Sequence, residues 1–293
     1  MERGAIDVAE LPGGLDLQST LESGQSYRWR RDDGRTYADT GLHGGAAWYH
    51  TVVDGEVIRA RQHDGTLEWE STTDAVPYLT ELLRLEDDLE AIVDATPADP
   101  LLADAYDAYP GMRIVADPFF PCLVSFICSA QMRVERIFAM QEALAAAYGD
   151  RVPFDGETYR AFPTPDQLAG VPEAELRELG LGYRAPYVEA TASLLADGEL
   201  TSADLPAAYE PAREALTGYV GVGQKVADCV CLFSLGHLEA VPLDTWIRSA
   251  IAEHYPDCDR GRYDETSRAI RERFGPYAGY AQTYVFHYLR HRQ

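Results

Sequence analysis

"PAAYEPAREALTGYVGVGQKVADCVCLFSL", residues 206–235, reads as helix, tight turn, helix. Apolar residues recur at helical spacing on both sides of "GYVGVG". Gly221 and Gly223 permit the positive φ that lets a backbone reverse within a few residues. The resulting hairpin, residues 217–225, presents amide N–H groups with the start of the second helix behind them. That arrangement grips a phosphate without any basic side chain. An ordinary helix–helix turn would carry the same local pattern, so the turn alone does not settle what the chain does.

Lys225, in the first turn of the second helix, is the only lysine among 25 basic residues; the others are all arginine. A phosphate contact would tolerate arginine equally well. A nucleophilic amine would not, because a lysine can give up its proton and attack a carbonyl-like carbon whereas a guanidinium stays charged. Chance retention in a lysine-poor chain is the bland alternative. Nineteen residues on, "AVPLDTW" puts Asp244 at the N-cap of the next helix, a structural role that would suffice by itself. If that helix folds back beside the hairpin, the Asp244 carboxylate stands near the Lys225 amine and can stabilise a developing oxocarbenium ion. The chemistry implied is displacement of a base from a sugar C1′ by an amine.

The rest of the composition bounds the class. With 46% hydrophobic and 25% charged residues the 293-residue chain is an ordinary globular protein in core-forming capacity. No apolar run reaches the roughly 18 residues of a membrane span, and "MERGAIDVAELPGG" lacks the basic and apolar regions of a signal peptide; a cytoplasmic protein with no membrane partner is expected. Five scattered cysteines (Cys122, Cys128, Cys229, Cys231, Cys258) form neither a disulfide framework nor a metal-site spacing. The 48 acids against 25 bases, net −23, would repel nucleic acid. A halophilic protein explains the same numbers: at about 1 M salt the Debye length is about 3 Å, so only local chemistry reaches a partner.

Residues 13–72 read as strands and turns: "YRWRR" (27–31), "AAWYHTVV" (46–53), "EVIRARQ" (56–62) and "TLEWEST" (66–72), separated by "DDG", "HGG", "DG" and "DG". From Thr73 the period becomes helical, beginning with 78–95. Helices are then expected at 117–131, 134–149, 165–170, 173–180, 184–197, 206–217, 224–235, 244–254, 262–274 and 277–290. Pro118, Pro172 and Pro206 are read into first turns, and "GDRVPFDGE" and "HYPDCDRGRY" as loops. The expected fold is α+β: a small antiparallel β-sheet domain over 1–72, then a larger all-α domain over 73–293.

With these residues in view, the chain resembles the helix-hairpin-helix DNA glycosylases, through "GVGQKVADC…AVPLD". Within them it is most similar to the 8-oxoguanine DNA glycosylase/AP lyases, through "SGQSYRW" (23–29), "DPFFPCLVSFICSAQ" (117–131), "LGLGYRAPYV" (179–188) and "GPYAGYAQTYVF" (275–286). The resemblance implies a monomer with no cofactor that acts on double-stranded DNA containing oxidised guanine. In it Lys225 attacks C1′, expels the base and holds the sugar as a Schiff base, from which β-elimination nicks the strand. Asp244 assists. Cys229, one helical turn after Lys225, packs on one side of the flipped base and Phe286 on the other. Gln282 reads the Watson–Crick edge, and the Gly24 carbonyl accepts the N7–H that marks 8-oxoguanine. Tyr183 wedges into the base stack, and Arg136 and Arg184 contact the orphaned cytosine. Carbonyls of Thr217, Tyr219 and Val222 would hold a structural monovalent cation. Each side chain also has an ordinary reading: Tyr183 and Phe286 as core, Gln282 as an exposed helix residue.

Two departures from the family are visible. Gln131 stands where relatives carry an asparagine that fills the vacated hole, which puts strict preference for an opposite cytosine in question. Trp246 replaces a phosphate-contacting histidine. The competing readings are a monofunctional alkylated-purine glycosylase, which has no use for Lys225, and an adenine-mismatch or thymine-glycol enzyme, whose four-Cys cluster is missing here. A third is a non-catalytic DNA-binding scaffold, which leaves Lys225, Asp244 and Gln282 as coincidences.

Overall fold

The computed structural model describes residues 1–37, 46–199 and 201–291. A five-stranded antiparallel sheet opens the chain: β1 (Glu2–Asp7), β2 (Arg30–Arg31), β3 (Tyr49–Val53), β4 (Glu56–His63) and β5 (Thr66–Ser71), in the order β1-β5-β4-β3-β2. The two "DG" turns hold consecutive positive φ values, at Asp54 and Gly55 and at Asp64 and Gly65. These are the mirror-image turns whose twist suits a hairpin. The expected turn "HGG" (43–45) lies outside the described residues.

The N-terminal part departs from its sequence reading in three places. β1 lies ahead of the region read as strands and closes the sheet against β5. Residues 17–22 form a helix, α1 (Leu17–Glu22), because Asp16 accepts from the Ser19 N–H at its start; a short capped turn leaves little periodicity to detect. Of "YRWRR" only Arg30–Arg31 pairs with a neighbour, while Tyr27 and Trp29 are buried in the core.

The helical region begins with a break. The expected helix 78–95 is two, α2 (Val76–Leu82) and α3 (Leu89–Ala95), divided at Arg84, whose φ is +47°, and restarted by the Asp88 cap on Ala91. An unanticipated α4 (Pro100–Ala108) follows, capped by Asp99. Then come α5 (Phe119–Ser129), α6 (Val134–Tyr148), α7 (Pro165–Leu168), α8 (Glu173–Leu176), α9 (Ala185–Ala196), α10 (Tyr209–Thr217), α11 (Gln224–Phe233), α12 (Thr245–His254), α13 (Tyr263–Phe274) and α14 (Ala278–Arg290). Pro118 and Pro172 are N-cap residues and Pro206 precedes α10, so none of the three lies inside a first turn. Fixed φ suits the cap position as well as N1.

The segment read as the loop "GDRVPFDGE" is a hairpin, β6 (Arg151–Phe154) with β7 (Glu157–Arg160), turned at Asp155-Gly156. Phe154 packs on Val52 and Val57 of the large sheet. Among the described residues the helical part thus carries one β-hairpin, and that hairpin fastens it to the sheet. One hydrophobic core runs through both parts, with Leu17, Trp29 and Trp69 from the first and Leu123, Val230 and Tyr280 from the second. Arg113, fully buried, is a knot between them: its guanidinium donates to the carbonyls of Pro12, Gly14, Arg84 and Asp87 at 2.6–3.0 Å.

Candidate active site

α10 and α11 are antiparallel neighbours joined by the turn 218–223. Gly221 has φ +82°, and a Cβ there would stand 2.6 Å from the Tyr187 side chain on α9. Both the left-handed backbone and the close approach require glycine. Gly223 differs from its expectation. Its φ is −86° and it is the extended N-cap of α11. Open space where its Cβ would be leaves the first amides of α11 approachable. The carbonyl of Tyr219 accepts the Val222 N–H within the turn, and Thr217 is the last residue of α10.

Lys225 is half-buried, and its Nζ lies 2.8 Å from Ser129 Oγ and 5.0 Å from the centre of the Phe126 ring. It lines a cavity of about 120 Å³ together with Gly24, Cys229, Asp244, Gln282 and Phe286. Residues more than 250 positions apart in the chain therefore share one wall. The Cys229 thiol is pushed up to about 12 by burial, with Lys225 beside it pulling the other way. It stays protonated near neutrality and is a packing surface rather than a second nucleophile.

Asp244 is the N-cap of α12 and accepts from the Ile247 N–H at 2.7 Å. One carboxylate oxygen is held by the helix end, and the group still lines the cavity. Three residues after Lys225, Asp228 faces away from this wall. It is fully buried, accepts from the hydroxyls of Tyr209 and Tyr263 at 2.6 and 2.7 Å, and has its carboxyl raised to about 6 by burial. It ties α11 to α10 and α13.

The remaining lining comes from α14 and the loop after α1. Gln282 and Phe286, four apart, present to the cavity together. Gln282 Oε1 is buried and meets no donor among the described residues, the mark of a polar group kept for a ligand or water. Phe286 is braced edge-on by Trp246, centroids 5.1 Å apart at 82°. Gly24 has φ +87°, and its missing Cβ points at Phe286 and Arg290, each 3.9 Å away. The loop is pinned by the buried amide of Gln25. This side chain donates to the Arg113 carbonyl at 2.8 Å and accepts from the Val115 N–H at 3.1 Å.

A second group of expected residues lies outside the cavity lining, on turns and at a helix start. Gln131 is exposed with φ +54°, between α5 and α6, and Arg136 is exposed on the first turn of α6. Tyr183 is 51% exposed and follows a turn with Gly180 and Gly182 at positive φ. Arg184 is only 2% exposed. Its guanidinium lies 4.3 Å over the Tyr183 ring and donates to the Ala130 carbonyl, so it latches the Tyr183 turn to the Gln131 turn.

Sequence reasoning did not single out Ser129, Phe126, Tyr27, Ser23 or Arg290, all of which line the cavity. Ser129 and Phe126 sit three apart in "SFICSAQ", a stretch already read as family-like. Nothing local says that their common face meets Lys225, 96 residues away. All five cysteines are buried and unpaired, and among the described residues no helix is long and apolar enough to cross a membrane.

Residues 124–276 match the family described as HhH-GPD superfamily base excision DNA repair protein, and residues 7–123 match the 8-oxoguanine DNA glycosylase N-terminal domain. The N-glycosylase/DNA lyase of Saccharomyces cerevisiae is 32% identical over 93% of this chain and 82% of its own length. A probable N-glycosylase/DNA lyase of Methanothermobacter thermautotrophicus is 30% identical over 95% and 94%. The solved 8-oxoguanine glycosylase/lyase of Clostridium acetobutylicum, in complex with double-stranded DNA containing cytosine opposite 8-oxoguanine, superposes with a TM-score of 0.83 at 28% identity. That match covers 95% of this chain and 92% of the other.

Proposed function

The chain belongs to the HhH-GPD superfamily of base-excision DNA repair proteins, and we propose that it is a bifunctional 8-oxoguanine DNA glycosylase/AP lyase. The observation that carries the reading is the shared cavity of Lys225, Asp244, Cys229, Gln282, Phe286 and Gly24. An amine nucleophile, a carboxylate and a purine-sized set of packing and hydrogen-bonding groups have no reason to converge in a scaffold that only holds DNA. A monofunctional alkylated-purine enzyme leaves the amine unused.

In the proposed reaction the damaged nucleoside is flipped into the cavity. Cys229 and Phe286 flank the base, and Gln282 meets its Watson–Crick edge. The Gly24 carbonyl accepts the N7–H that guanine lacks; an unmatched buried acceptor costs about 1–3 kcal/mol. The Lys225 amine attacks C1′. The Nζ–C1′ bond forms, the glycosidic bond breaks, and its electron pair leaves with the base. The two protons of the amine pass in turn to the departing base and to the ring oxygen as the sugar opens to an imine. Loss of a C2′ proton then expels the 3′ phosphate. Asp244 stabilises the cationic sugar during base departure.

Residues 1–72 supply Gly24 as a β-sheet domain, and residues 73–293 form the helical domain. Gly221 and Gly223 shape the amide cluster for a DNA phosphate. Thr217, Tyr219 and Val222 offer carbonyl oxygens at the negative end of α10, a donor set suited to a hard monovalent cation that would stiffen this turn. Gln131 and Tyr183 occupy the gap in the stack, and Arg136 and Arg184 contact the opposite base, Arg184 from the side that also latches the two turns together. The protein works as a cytoplasmic monomer.

Borohydride added to enzyme and 8-oxoguanine duplex is expected to trap a covalent complex that Lys225→Gln abolishes. Equal trapping by the variant would place the nucleophile elsewhere. The charge of −23 with one lysine further points to work in concentrated salt. Proteins that bind through basic side chains lose about 10³–10⁵ in affinity between 50 and 200 mM salt. Here excision at about 1 M KCl is expected to stay within roughly tenfold of that at 0.1 M. Collapse above a few tenths molar would refute the halophilic reading.

A further inference from the structure

We propose that Ser129 is a positioning residue for the nucleophile, holding the Lys225 amine by a hydrogen bond that sets the direction of its lone pair. The inference rests on the reading of Lys225 as the attacking group and adds a residue to it. Ser129 is the last residue of α5, is 8% exposed, and lines the same cavity.

A serine hydroxyl has one proton and two acceptor lone pairs. Ser129 Oγ lies 2.7 Å from the Phe126 carbonyl, which can only accept, so the hydroxyl proton is committed there. What Oγ turns toward Lys225, 2.8 Å away, is a lone pair. The bond therefore runs from Nζ to Oγ, and it persists whether Lys225 is an ammonium or an amine, since both carry N–H groups. In the amine, one N–H directed at Ser129 restricts rotation about the Cε–Nζ bond. The nitrogen lone pair is then held off Ser129 and can face the cavity that Asp244 and Phe286 line.

The surroundings make this restraint necessary. Lys225 hangs on four rotatable bonds, and the other groups about its nitrogen are the Phe126 ring, 5.0 Å to its centre, and the buried Cys229 thiol. A π face attracts a cation but fixes no rotation, and a protonated thiol is a weak acceptor. Of these neighbours only Ser129 supplies a strong directional acceptor. Its carbonyl anchor is one helical turn back in α5, a helix whose last eight residues are all buried, so the hydroxyl is set on a rigid element.

The reading is tested with Ser129→Ala, Ser129→Thr and the wild type in single-turnover excision of 8-oxoguanine and in borohydride trapping on a preformed abasic duplex. Thermal melting and duplex affinity are measured alongside. Ser129→Ala is expected to lower kcat and the trapping rate in parallel by 10–100-fold while KM and duplex affinity stay within twofold. Ser129→Thr, which keeps the hydroxyl, is expected to recover to within about fivefold of wild type. Wild-type rates in Ser129→Ala overturn the proposal. So does a loss that Thr fails to recover at an unchanged melting temperature, or a loss confined to KM. Failure of the wild type to trap DNA, or trapping by Lys225→Gln, would instead strike the parent reading, and the two failures are separable in one gel.

Discussion

The cavity and the turn pair beside it are built on opposite plans. Lys225, Cys229, Gln282 and Phe286 stand on α11 and α14, regular helices packed into the core, and Asp244 is fastened by capping its own helix. Gln131 and Tyr183 stand on turns, are exposed, and rely on left-handed backbone at Gln131, Gly180 and Gly182. A group that must meet one carbon within a few tenths of an ångström belongs on a rigid element, whereas a group that enters a deformable base stack can be carried on a loop. Substitutions in the first region should therefore stop chemistry, and substitutions in the second should shift preference.

Asp244→Asn gives the largest effect expected beyond removal of the lysine itself. Asparagine caps a helix about as well as aspartate, so stability should change by no more than about 0.5 kcal/mol. Base release should slow by about 10²–10⁴-fold, the scale of one placed catalytic group. Rapid-quench excision and a melting curve on one preparation check both halves, and unchanged turnover would reduce Asp244 to a cap.

Gly24→Ala divides recognition from chemistry inside the cavity. Alanine at φ +87° costs about 1 kcal/mol of stability, and the relaxing backbone carries its carbonyl away from the base. Loss of one discriminating hydrogen bond predicts a fall of about 5–150-fold in 8-oxoguanine excision, with nicking of a preformed abasic site unchanged. Equal loss on both substrates would show that the loop serves the fold rather than the lesion.

Gln131→Asn is expected to change least. Asparagine tolerates a left-handed backbone better than glutamine, so stability should rise by a few tenths of a kcal/mol. Excision measured opposite each of the four bases should move toward cytosine by less than about tenfold. A change in rate common to all four duplexes would mean that this turn acts on chemistry, and the division between the two regions would be lost.

The differences between sequence reading and structure follow one rule. The helices from α5 onward keep nearly their expected bounds, except α8, which ends at Leu176 rather than at 180, because each has its own cap or period. α1 and α4 have no counterpart in the sequence reading, and β6–β7 lies in a segment read as a loop, because their apolar residues complete the core of other elements rather than show a period of their own. Gly223 was read as a second left-handed glycine, although one such residue, Gly221, already reverses the chain. The resemblance implies that Arg184 contacts the opposite base; its hydrogen bond to the Ala130 carbonyl, 54 residues earlier in the chain, is a further relation that no local pattern announces.

Sequence alone determined whatever depends on neighbours within about a turn: the hairpin, the solitary Lys225 one turn before Cys229, the Asp244 cap, and Gln282 one turn before Phe286. Those relations are enforced by backbone geometry and survive in any fold. Only the tertiary structure decided that Gly24 faces Phe286, that Gln25 pins the Gly24 loop to Arg113, and that the Ser129 hydroxyl meets the Lys225 amine. Such contacts arise when apolar faces far apart in the chain are driven together out of water, and the burial that joins them is not directional enough to be read from any one segment.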